Sequence, residues 1–104
     1  MEREIILQIV QEIHHEAIKQ VESGSKSLNV LSLIIEHSSK TPREWEKDTG
    51  CISAHHTVLV GQVGRYLESI LTRDMPNHKF TFRSSWGSEG QIFVNLNNKP
   101  CYKL

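Results

Sequence analysis

The chain has 104 residues, 38% hydrophobic and 23% charged, with zero formal net charge. That is the size and make-up of one folded domain, long enough to bury a core without crosslinks and too apolar to stay disordered. The longest purely aliphatic runs, such as Ile5-Ile6-Leu7 and Val58-Leu59-Val60, fall far short of the roughly 20 residues that span a bilayer, so no membrane partner is expected.

The opening "MEREIILQIV" lacks the basic, then apolar, then small-residue plan of a secretory signal, which points to a cytoplasmic protein. Cys51 and Cys101 lack CxxC spacing, and two free thiols are the expected state, with a single disulfide as the alternative. Charge is unevenly spread. Residues 1–50 hold six Lys or Arg against nine acids, a balance of −3, and residues 51–104 hold six against three, a balance of +3. The second half is the better match for phosphate.

Ile6, Ile9, Val10, Ile13, Ala17 and Val21 recur at three- and four-residue steps, with Glu12, Glu16, Lys19 and Gln20 between them. The spacing predicts an amphipathic helix over about 2–22, ended by "ESGSKS". Its stripe needs an apolar cover, either the rest of the domain or the same helix of a second copy. A homodimer built on Ile6, Ile9, Val10 and Ile13 is therefore one expectation.

"SLNVLSLIIEHSSK" suits a buried helix or a buried strand. The helix, over about 29–38, is favoured because Asn29 can cap its start and the serines after His37 can end it. In "KTPREWEKDTG", Thr41 is an N-cap, Pro42 suits the first helical position, Glu44 completes a capping box and Gly50 is a stop. From Ser53 onward Val60, Val63, Leu67, Ile70 and Leu71 trace a long helical stripe closed by "DMPN". Gly61 and Gly64 each weaken such a helix by roughly 1 kcal/mol relative to alanine, so both are expected to admit a close neighbour.

"HKFTFRSSWGSEGQIFVNLN" alternates like a β-hairpin. Phe80, Phe82, Ile92, Val94 and Leu96 are expected on the helices. Lys79, Thr81, Arg83, Gln91, Phe93 and Asn95 are expected on the far face, with Trp86 near the apex of a long loop and a further short strand in "CYKL". The fold class predicted is α+β, three to four helices followed by a C-terminal antiparallel hairpin, in a single domain.

"TPREWEKDTG" followed by "CISAHHTVLVGQVGRYLESIL" and then the hairpin resembles the second helix, recognition helix and wing of winged-helix DNA-binding domains, over roughly residues 28–97. The resemblance implies a helix in the major groove and a wing on the backbone or minor groove. It makes His55, His56, Thr57, Gln62 and Arg65 on the helix, with Lys79, Arg83 and Trp86 on the wing, the candidate nucleic-acid contacts. The alternative is a protein-interaction module, a small inhibitor or adaptor of bacterial or viral type, acting through Trp86, Phe93 and Gln91.

Six histidines raise the question of a metal, but neither CxxC nor HxxxH occurs and adjacent histidines on a helix point about 100° apart, so no metal or other cofactor is expected. "AHHTVLVG" is similar to the HxT motif of two-histidine phosphoesterases, in which two such motifs supply acid, base and phosphate contact. The second motif is missing, since "HKFT" has one residue too many. A non-enzymatic protein is expected.

Overall fold

A computed structural model describes residues 3–84 and 90–96. In chain order these form helix α1 (Arg3–Glu22), strand β1 (Ser27–Asn29), helices α2 (Val30–His37) and α3 (Pro42–Thr49), a 3-10 turn (Ala54–His56), helix α4 (Thr57–Asp74), and strands β2 (His78–Arg83) and β3 (Gln91–Leu96). The fold is α+β, four helices against a three-stranded antiparallel sheet in the order β1-β3-β2.

The expected stripe of α1, Ile6 through Val21, is buried to the last residue. Its cover is α4 and α2 of the same chain. Ile6, Ile9, Val10 and Ile13, the residues on which a homodimer was expected, are each 2% exposed or less, so of the two covers expected for the stripe it is the rest of the domain that is seen. They form the core of the monomer and present nothing to a second copy.

The favoured helix reading of residues 29–38 is observed as α2, with the Ser32 N–H donating to Asn29 Oδ1 at 3.0 Å and Ser38 closing the end. The residues just before it form a strand that periodicity did not predict. Leu28 of β1 pairs with Ile92, Ser27 with Phe93, and Asn29 with Gln91. Backbone bonds from Val94 N to Lys26 O (2.9 Å) and from Val30 N to Gly90 O (3.0 Å) extend this pairing at both ends.

Helix α3 starts as expected. Thr41 Oγ1 accepts from the Glu44 N–H at 3.2 Å, Glu44 Oε1 accepts from the Thr41 N–H at 2.9 Å, and Gly50 ends the helix at φ 72°. Trp45 is 1% exposed and donates its indole N–H to Ser38 Oγ at 3.1 Å, which locks α3 onto the end of α2.

Helix α4 buries Leu59, Val60, Val63, Gly64, Leu67 and Leu71. Of its two glycines, Gly64 admits a close neighbour, since a Cβ there would run into the ring of Phe82. Gly61 does not, because nothing stands within 4 Å of where its Cβ would be. Phe80, Ile92 and Val94 are buried as the alternation requires. Leu96, expected on the helices, is 68% exposed because it lies at the end of β3, beyond the core. The expectations for Trp86, for Cys101 and for a strand in "CYKL" fall outside the described residues.

Candidate functional site

The outward side of α4 is a stripe. Val58, Gln62, Arg65, Ser69 and Arg73 follow one another at three- and four-residue steps, which brings them onto neighbouring positions of one helix face. They line an open groove of about 900 Å³. Gly61 leaves room in it, Tyr66 and Ile70 supply apolar surface, and Ser84 forms its far side just past the end of β2.

Among the described residues no carboxyl group lines this groove. Glu68, the acid in the middle of α4, turns toward the sheet and accepts the Phe82 backbone N–H. Arg3 reaches across from α1, donating to the Tyr66 hydroxyl at 3.1 Å with its guanidinium carbon 5.9 Å from the ring centre. Arg73 lies 3.1 Å from Asp74, both exposed enough for water to weaken the pair.

The helix start is built differently from expectation. His55 and His56 both adopt left-handed backbone, φ 55° and 57°, a conformation that costs side-chain-bearing residues about 1–3 kcal/mol and persists only where the surroundings hold it. Glu46, with no exposure at all, holds it. Its carboxyl oxygens meet His56 Nδ1 at 2.7 Å, the Ser53 N–H at 3.2 Å, Ser53 Oγ at 3.3 Å and Arg43 at 3.3 Å. Ser53 Oγ also accepts from the Val58 N–H at 3.2 Å, so the same cluster caps the first turn of α4.

The proposed contacts therefore separate. Gln62 and Arg65 stand in the groove and Thr57 at its start, where the Thr57 hydroxyl donates to Ala54 O at 2.7 Å. His55 is exposed beside it, whereas His56 is turned inward to Glu46. Lys79 and Arg83 do not join them. Phe82 packs on α4, so the odd-numbered residues of β2 point away from the helices. In register with them stand Asn95, Phe93 and Gln91, opposite Lys79, Thr81 and Arg83 respectively. The cations expected on one surface occupy two.

Arg3, Ser69, Arg73, Ser84 and Glu46 were missed by the sequence reading. Ser69 and Arg73 were open to discovery by extending the polar arc of α4 one turn at a time. Nothing local marks Glu46 as buried, and Arg3 meets Tyr66, and Ser84 the groove, only through packing. The two histidines named with the HxT resemblance lie at opposite ends of α4. His55 precedes α4 and His78 follows it, and 18 helical residues at about 1.5 Å each separate them by roughly 25 Å. Among the described residues no group of three or more His, Cys, Asp or Glu is placed to hold a metal ion, no helix is long and apolar enough to cross a membrane, and Cys51 is a half-buried free thiol. Comparison with protein-family models, with curated proteins and with solved structures finds no match for this chain.

Proposed function

We propose that this chain is a small nucleic-acid-binding module of winged-helix type that reads duplex through the outward face of α4. The observation that carries the reading is the α4 groove, which offers Gln62, Arg65, Ser69 and Arg73 along one file and, among the described residues, is lined by no carboxyl group. A major groove about 12 Å wide admits an α-helix, and Arg and Gln are the side chains able to form paired hydrogen bonds with guanine and adenine edges. The element order supports it too, with a short strand ahead of α2 that joins the hairpin to complete a three-stranded sheet behind the long helix.

The electrostatics set the expected strength. With zero net charge, two cations lining the groove (Arg65 and Arg73) and Arg3 bonded to the hydroxyl of its Tyr66, the salt dependence should have a slope of about −2 to −3 on logarithmic axes. Binding is then modest and lost readily in salt. Fluorescence anisotropy with a mixed-sequence duplex across a salt series tests this. Arg65→Ala should weaken binding and flatten the slope by about 1, and Gln62→Ala should weaken it with the slope intact. Lys79→Ala, on the other face, should leave duplex affinity as it was. A chain that ignores duplex even at low salt would end this reading. The second reading, a protein-binding adaptor, would then lead, favoured by the exposure of Ile52 (59%) and Val58 (36%) beside the start of α4.

A further inference from the structure

The face of the sheet that looks away from the helices is a second surface, and the duplex reading makes no use of it. β3 is the central strand, and Phe93 lies near its middle, 37% exposed. Its neighbours across the two ladders are Ser27 on β1 and Thr81 on β2, both too small to cover the ring. Arg83 stands opposite Gln91 and Lys79 opposite Asn95. Each cation is thus the diagonal neighbour of Phe93, about 7–8 Å away between backbones and within reach of a long side chain. Lys26 approaches from the third side, and with Thr81, Arg83, Phe93 and Asn95 it lines a shallow groove of about 490 Å³. None of the three strands contains an Asp or Glu.

We infer that this sheet face binds single-stranded nucleic acid, with a base stacked on Phe93 and the flanking phosphates held by Lys26, Lys79 and Arg83. Charge complementarity selects a polyanion. The ring selects among polyanions, because a flat aromatic surface ringed by cations matches an unpaired base and its backbone, and every base offers a stacking face. Gln91 and Asn95, two residues either side of Phe93 on the same strand, share its face and carry amide groups able to pair with base edges. An acidic peptide would satisfy the cations but leave the ring and both amides unused. The site is independent of the α4 groove and stands or falls separately from it.

The test is anisotropy of the full chain with fluorescein-labelled oligo-dT and oligo-rU of about 12 nucleotides, a length within the range that a small stacking platform covers. Binding should weaken with salt. Phe93→Ala should reduce it about 5- to 150-fold, the loss expected for one base–aromatic stack. Phe93→Trp should retain it, and circular dichroism should show both variants folded, since the side chain lies off the core. Arg65→Ala should leave single-strand affinity unchanged while lowering duplex affinity. Equal affinity of Phe93→Ala and the parent would overturn the inference. So would a loss in Arg65→Ala as large as in Phe93→Ala, which would put the strand in the α4 groove. Failure to bind either oligonucleotide while poly-glutamate binds in a Phe93-dependent way would replace nucleic acid with an acidic peptide.

Discussion

His56 Nδ1 stands 2.7 Å from Oε1 of Glu46, a side chain with no solvent exposure. This contact joins the middle of α3 to the residue just before α4, and Ser53 adds two more hydrogen bonds to the same carboxyl group. A buried carboxyl group serving several donors is costly to remove, because the half-buried donors Ser53 and His56 lose an acceptor that water replaces only in part. Glu46→Ala should therefore lower stability by about 1–3 kcal/mol, read by urea denaturation. Glu46→Gln keeps one acceptor oxygen and should lose about half as much. If Glu46→Ala melts with the parent, the cluster does not hold the turn.

The two glycines of α4 should respond in opposite directions. Gly64→Ala drives a methyl group into the Phe82 ring, and such overpacking costs about 1–3 kcal/mol. Gly61→Ala enters open space and should gain about 0.5–1 kcal/mol by restricting the unfolded chain. Thermal melts of the two variants beside the parent are enough to decide this. A Gly64→Ala, Phe82→Leu double variant should recover part of the loss, because the two positions are in contact.

The start of α3 carries an acid-sensitive contact. Glu44 titrates below its ordinary value, chiefly because its carboxylate accepts the Thr41 backbone N–H, with the Thr41 side chain contributing in the same direction. A depressed folded value means that the contact stabilises the fold above the ordinary carboxyl range and is lost as pH falls through that depressed value. Carbon-detected NMR titration should find Glu44 low in the parent. In Thr41→Ala it should find Glu44 shifted back upward, accompanied by a loss of about 1 kcal/mol for the missing N-cap.

Truncating the α1 stripe should destabilise the fold rather than separate two copies of it. Ile9 and Ile13 have no exposure, and truncating such a side chain to alanine costs about 2–5 kcal/mol. Ile13→Ala should therefore lower the denaturation midpoint with no change in solution mass at any concentration. A concentration-dependent mass in the parent that disappears in Ile13→Ala, with the fold retained, would restore the dimer expectation.

The legible parts of this molecule were those whose cause is local. The box at Thr41 and Glu44, the cap at Asn29 and the stop at Gly50 each lie within a few residues of the backbone groups they satisfy, and each was found where its spacing placed it. β1 was missed for the converse reason. Its three residues are too few to show alternation, and it exists because β3, more than 60 positions away in sequence, supplies its hydrogen bonds. Glu46 sits in a run of charged residues that looks solvated, and becomes buried only when residues 51–56 fold over it.

The candidate site divides along the same line. Which side chains share a helix face or a strand face follows from the repeat of one element, so Gln62 with Arg65, and Lys79 with Arg83, were grouped correctly by sequence alone. Periodicity says that a face is apolar or polar without saying what will lie across from it. Packing decided that the stripe of Ile6, Ile9, Val10 and Ile13 meets α4 of its own chain, and that Phe82 lodges at Gly64. That second contact turns Lys79 and Arg83 away from Arg65. The relative orientation of two elements is fixed by contacts between residues distant in the chain, and no window of sequence contains both partners.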